Sequence, residues 1–392
     1  MAKRSGGEGS SRWVTRNGKK YWCITITIGY DPLTGKQKRK AIYGKTQTEA
    51  KAKLKEYQDS YTNSSDHSTL GNFYYDWIWN IKKQSLKPST FEKWEGIYRN
   101  YIKPNKGLND ARLTEIDTLY LQKIINKLLE NHTVSQITTL KSCLRNCFKY
   151  AKSINKIKVN PVEEIILPKN NDVEDVKENY IPEEEQKKLI EALKNDSLEG
   201  LILISLMCGL RLGEALALQI NDIDFNNMSI NINKSAKYVW TGERDKKGTK
   251  IYEYKVFKPK TKSSIREVPL PTMLKPIIKT LIKSNMTNKL KYGELYFDNK
   301  LIFCRENGNY IDNKQPSRHL KAALKRAGIK TDLHYHSLRH IFITNCLSRD
   351  INPRTVMDWA GHSDIRMTML IYAEVNKDKN KKEYEKINNM FQ

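Results

Sequence analysis

The residues best suited to chemistry lie in the second half of the chain. His336-Ser337-Leu338-Arg339-His340 sets His336 and Arg339 three apart, on one helical face, with Leu338 able to turn into a core. His336 and His340 at i, i+4 also have zinc-chelating spacing. However, Ser337 stands where a His-Glu-x-x-His protease carries its glutamate, and no cysteine or carboxylate adjoins as a third ligand. Upstream, Gly209-Leu210-Arg211-Leu212-Gly213-Glu214 places an arginine among glycines and apolar residues, where close backbone packing leaves little water. A poorly hydrated guanidinium needs an anion. Two partners stand open: Glu214 in a structural ion pair, or a phosphate oxygen at which Glu214 aims the guanidinium. Downstream, Gly361-His362 is followed ten residues later by Tyr372. Taken together, two arginines, the histidines and a tyrosine form a set for metal-free phosphoryl transfer.

The rest of the chain must position that set and deliver a phosphate to it. The chain has 392 residues, enough for two or three domains. Lys and Arg number 69 against 44 Asp and Glu, a net charge of +25, which calls for a polyanion. The longest apolar run, residues 200–210, falls well short of the ~20 needed to span a bilayer, and the first residues, Met-Ala-Lys-Arg-Ser-Gly-Gly, lack a signal-peptide core. A cytoplasmic protein without a membrane partner is expected. Six cysteines in 392 residues are too sparse for a disulfide framework and show no Cys-x-x-Cys metal spacing, and no metal or other cofactor is expected.

Residues 1–60 hold 14 Lys and Arg against 5 Asp and Glu, a net +9. Alternation and turn residues predict strands near 11–16, 21–29 and 36–43, and Thr46-x-x-Glu49 opens a short helix. Lys36, Lys38, Arg39 and Lys40 on this small sheet are candidate DNA contacts; a solvated basic hairpin is the plainer alternative. After a polar linker at 63–68, helical periodicity runs to about residue 157. Its apolar sets include Phe73, Trp77 and Ile81, then Leu119, Ile124 and Leu128, then Ile137, Leu140, Leu144 and Phe148. Lys141 and Arg145 fall on its polar faces as further candidate DNA contacts. A second polar stretch, 168–178, precedes helices to about Leu218. Strand-like runs follow at 229–232, 250–257 and 265–270, and helices complete the chain. The expected class is α+β, mainly α. It comprises a small N-terminal three-stranded β-sheet plus helix (1–60), a helical domain (66–167) and a mixed, mostly helical domain with a β-hairpin region (177–392).

Arg211 in Gly-Leu-Arg-x-Gly-Glu, the His336-x-x-Arg339-His340 box, Gly361-His362 and Tyr372, in that order, resemble the tyrosine recombinase (phage and conjugative-transposon integrase) family. The resemblance covers residues 180–392 by motif. The helical region resembles the family's core-site-binding domain, and the basic sheet resembles an arm-site-binding domain.

The resemblance implies a site-specific DNA recombinase that cleaves and rejoins duplex DNA through a 3′-phosphotyrosyl intermediate, independent of metal and ATP. Arg211 and Arg339 would grip the scissile phosphate, Tyr372 would be the nucleophile, His336 would assist proton transfer and His362 would hydrogen-bond the phosphate. A hairpin lysine, Lys260 ahead of Lys262, would protonate the leaving 5′-oxygen; the alternative for either is a plain phosphate contact. Partners implied are duplex DNA at core and arm sites, a homo-tetramer on DNA, and an accessory excision or host DNA-bending protein. Ile341 and Glu374 depart from the family's usual threonine and histidine at those positions.

Overall fold

The computed structural model describes residues 10–16, 18–30, 37–62, 68–168, 180–259, 264–331, 333–362, 364–366, 368, 369 and 371. Two compact units emerge. One is Met1–Asp172 with Gly242–Lys250, and the other is Val173–Thr241 with Ile251–Gln392.

In the first unit, β1 (Ser10–Arg16), β2 (Lys19–Tyr30) and β3 (Gln37–Gly44) form an antiparallel sheet in that order, as the alternation predicts. The register pairs Trp13 with Trp22 and Ile24 with Ile42. Helix α1 (Gln47–Thr62) starts as its sequence dictates: the Thr46 hydroxyl accepts from the Glu49 amide, and the Glu49 carboxylate accepts from the Lys45 amide. Cys23, Ile24, Ile42 and Ala50 are buried where α1 covers β2 and β3.

Six helices follow: α2 (Leu70–Asp76), α3 (Lys83–Ser85), α4 (Pro88–Ile97), α5 (Lys106–Asn109), α6 (Thr118–Leu129) and α7 (Val134–Ser153). Thr69 and Asp117 cap α2 and α6, and Thr133 with Gln136 forms a reciprocal box on α7. Ile137, Leu140, Leu144 and Phe148 line the core face of α7 as their spacing predicts. Two apolar assignments are corrected. Ile81 is 44% exposed while Ile78 is fully buried, because Trp77–Lys82 is a π-helical turn that rotates the apolar face out of 3.6-residue register. Leu119 is 71% exposed, and α6 instead buries Leu121, Ile124 and Ile125.

The second unit is built around α9 (Glu199–Cys208), preceded by α8 (Glu183–Leu193). The apolar run that is too short for a membrane is this helix. Hydrophobic on all sides, it is buried on all sides, with Leu201, Ile202, Leu203, Ile204 and Leu206 each at most 3% exposed. Around it lie α10 (Leu212–Leu216), α11 (Leu274–Tyr292), α12 (Gln315–Arg326) and α13 (Ser337–Ser348), with α14 (Pro353–Ala360) packed on α13. An antiparallel sheet in the order β4 (Ile223–Asp224), β5 (Ser229–Ile232), β8 (Arg266–Pro269) closes one side. The sequence misses β6 (Ser235–Arg244), which forms a two-stranded sheet with β7 (Lys250–Phe257).

Candidate active site

Two helix ends create the site. Helix α9 stops at Gly209, whose φ of +68° is left-handed, and α14 stops the same way at Gly361, φ +62°. The last carbonyls of a helix lack intrahelical partners and carry the negative end of its dipole. Here arginines take them. Arg339 donates from Nη1 to the Gly209 carbonyl at 2.8 Å and from Nη2 to the Ala360 carbonyl. Arg211 donates from Nη2 to the Gly361 carbonyl at 3.2 Å. Arg266 donates from Nε to the Trp359 carbonyl at 2.6 Å. Three successive carbonyls at the end of α14 thus hold three guanidiniums.

Glu214 completes the arrangement. Its carboxylate is 7% exposed and accepts from both terminal nitrogens of Arg266, at 3.1 and 2.8 Å, from Nη1 of Arg211 at 2.9 Å and from the Arg211 amide at 2.9 Å. Burial alone would raise its pKa; the hydrogen bonds and charge of Arg266, then those of Arg211, bring it down to about 2. Of the two sequence readings of Arg211, the structure shows the ion pair with Glu214, and it leaves the Arg211 side chain 39% exposed. The expectation that Arg211 is the water-poor arginine is corrected. Arg339, 2% exposed, is the buried one, because it lies beneath α9 and α14 while Arg211 stands at the start of α10. Burial, then the charges of Arg211 and Arg266, depress the Arg339 pKa, so its guanidinium is short of negative charge.

His336 immediately precedes α13, one turn before Arg339, whose amide donates to the His336 carbonyl at 3.2 Å. Its ring meets that of His340 edge-to-face, 5.1 Å between centroids. The segment is pinned by Tyr335, a buried residue whose hydroxyl donates to the Leu201 carbonyl at 2.6 Å and lies 2.8 Å from the Ser205 hydroxyl. Desolvation, then the charges of His340, Arg339 and Arg211, lower His336 to about 4. His336 is exposed at the surface, so the flanking positive charges explain the direction better than burial does. His362 is also lowered to about 4, by desolvation and then by Arg339 and Arg211; its Nδ1 lies 3.0 Å from the Thr368 hydroxyl. With both imidazoles neutral, Arg211, Arg266, Arg339 and Glu214 sum to +2, a fixed charge suited to a phosphodiester and to the extra negative charge of its pentavalent transition state.

The structure brings Arg211, Arg339 and His362 to one corner and places His336 within electrostatic reach of both arginines. Tyr372, Lys260, Lys262 and Lys36 lie outside the described residues. So does the side chain of Lys38, which belongs to β3. Ile371, next to Tyr372, is buried in an apolar cluster with Phe342, Val356 and Ala360. Of the other candidate DNA contacts, Arg39 is exposed and donates to the Gln37 side chain, Lys40 lies 3.9 Å over the Tyr57 ring, Lys141 donates to the Ile165 carbonyl, and Arg145 is exposed. Sequence reasoning missed Arg266 and Thr368. The signal for Arg266 was available, since two residues before the inward Val268 on a strand is an inward position. Among the described residues no group of three or more His, Cys, Asp or Glu could hold a metal, and no described helix is long and apolar enough to cross a membrane.

Residues 179–379 match the phage integrase family, and residues 69–129 match its N-terminal SAM-like domain. The chain belongs to the phage integrase family. It is 35% identical over 388 residues to a tyrosine recombinase XerC-like protein of Caldanaerobacter subterraneus subsp. tengcongensis, covering 96% of this chain and 98% of that one. It is 25% identical to the integrase of Staphylococcus phage L54a, covering 76% of this chain and 87% of the relative. Among solved structures, the Tn1549 transposon integrase in complex with circular intermediate DNA shares the fold, with a TM-score of 0.63 at 19% identity over 81% of this chain and 99% of that one. The protein is a tyrosine recombinase, an enzyme of DNA breaking and rejoining.

Proposed function

We propose that this recombinase is the integrase of a mobile element and that Tyr372 is its nucleophile. The observation that carries the chemistry is the cradle of three guanidiniums and one carboxylate, net +2, beside two neutral histidines. Arg211 and Arg339 bind the non-bridging oxygens of the scissile phosphate, and His362 hydrogen-bonds the same group. The Tyr372 hydroxyl attacks phosphorus and passes its proton to His336. The bond to the 5′-oxygen breaks, and that oxygen takes a proton from Lys260 or Lys262. The product is a 3′-phosphotyrosine and a free 5′-hydroxyl. The ester keeps the energy of the phosphodiester, so a 5′-hydroxyl from another strand reverses the attack without ATP.

In this reading residues 1–60 bind arm sites, 66–167 bind core sites and 177–392 carry the chemistry. Lys36, Lys38, Arg39, Lys40, Lys141, Arg145 and Lys262 contact phosphates, giving salt-dependent affinity. Exchange of two pairs of strands requires a homo-tetramer on two duplexes, acting in the cytoplasm with an accessory excision or DNA-bending protein. A nicked duplex that loses its 5′-hydroxyl fragment after cleavage should trap a covalent protein–DNA adduct that survives denaturation and is unaffected by a chelator. An undiminished adduct with Tyr372→Phe overturns the assignment, and loss with chelator overturns the metal-free chemistry.

A further inference from the structure

Arg266 opens β8 and alternates with Val268, which turns it inward, leaving its side chain 5% exposed. Its guanidinium clamps both oxygens of Glu214, while Nε holds the Trp359 carbonyl. The next two carbonyls along that chain, those of Ala360 and Gly361, hold Arg339 and Arg211. Gly361 also packs on Arg266 itself: a Cβ there would stand 3.1 Å from its Cδ and Nη1. One side chain from the sheet thus fixes the carboxylate that orients Arg211 and the helix end that holds both Arg211 and Arg339.

We propose that Arg266 is a positioning residue for DNA cleavage, acting through Glu214 and the end of α14; this rests on the reading that Arg211 and Arg339 bind the scissile phosphate. A planar fork meets the two carboxylate oxygens while its third nitrogen reaches a carbonyl to the side. A lysine keeps the charge and reaches one acceptor. Without the clamp Glu214 is free to turn wholly toward Arg211, drawing it off the phosphate, and the carbonyl ladder of α14 loses its first tie.

The test is single-turnover cleavage of a nicked duplex by the full chain, with DNA affinity measured separately. Arg266→Lys should slow cleavage by about 10- to 100-fold, the scale of an ångström-sized misplacement, while affinity stays near that of the wild type. A merely structural arginine would give losses that multiply with those of Arg211→Lys. A positioning role through Glu214 makes the second loss small in that background. Gly361→Ala removes no donor and presses on the Arg266 side chain, so it should slow cleavage in the same way even where Arg266→Lys fails to fold. Wild-type cleavage by either variant, or multiplicative losses in the double variant, overturns the proposal for Arg266. Wild-type cleavage by Arg211→Lys would instead overturn the phosphate-binding reading beneath it.

Discussion

Gly209→Ala is the sharpest single perturbation of this site. A Cβ on Gly209 would stand 2.4 Å from Cδ1 and 2.9 Å from Cε1 of Phe342. Carbon atoms settle at about 3.5–4.0 Å, so the overlap exceeds 1 Å by rough measure. The φ of +68° adds a left-handed penalty of about 1–2 kcal/mol, and overpacking of a filled core adds about 1–3 kcal/mol. The expected loss of unfolding free energy is therefore about 2–5 kcal/mol, read by urea denaturation. Relief of the overlap displaces the Phe342 ring and its helix α13, which also carries Arg339, or the Gly209 backbone, whose carbonyl holds Arg339 at 2.8 Å; either shift disturbs that contact, so cleavage should slow by about 10- to 100-fold. Gly328→Ala is the control: φ is +69° and nothing lies within 4 Å of its Cβ position, so it carries the left-handed penalty alone. Equal destabilisation by the two variants, with Gly209→Ala cleaving at the wild-type rate, would refute the argument.

Two further outcomes are expected. Because His336 and His362 are lowered from 6.5 to about 4, the unfolded chain binds more protons between those values. Stability is fully present above pH 6.5 and is lost as pH falls toward 4, with a further loss below 4.5 as Glu214, lowered to about 2, is forced to protonate. His362→Gln should flatten the first stage by an amount on the order of 1 kcal/mol between pH 7 and 5, and thermal melting against pH would show no change if the histidine environment is misjudged. Thr368 is fully buried, with its hydroxyl against Nδ1 of His362. Thr368→Val keeps the shape and should slow cleavage by up to about tenfold, the worth of one hydrogen bond, whereas Thr368→Ser should not; equal rates for the two variants would sink that role.

Much of this molecule was legible because local chemistry and tertiary need agree. The N-terminal strands follow turn residues and alternation to within two residues, and the Thr46 hydroxyl takes the Glu49 amide at the start of α1. The apolar run around Ile204 announced the central helix, and Arg211 with Glu214 announced the ion pair. What was missed depends on geometry that no short window contains. The π-helical turn at Trp77 moves Ile81 outward and Ile78 inward. Arg211 read as water-poor from its glycine and leucine neighbours, but burial falls on Arg339, which reaches the Gly209 carbonyl from another part of the chain. Strand alternation turns Arg266 inward, but only the fold brings it beside a carboxylate 52 residues away and a carbonyl 93 residues away.

The central claim is that a phosphoryl group passes to Tyr372. The DNA-linked peptide should be isolated from the trapped adduct and its modified residue located by mass spectrometry. The account predicts a phosphotyrosyl link at Tyr372 alone. It excludes Tyr335, whose hydroxyl is committed to the Leu201 carbonyl inside the core. A link mapped to Tyr335, Tyr310 or Tyr384, or to a serine, would contradict it.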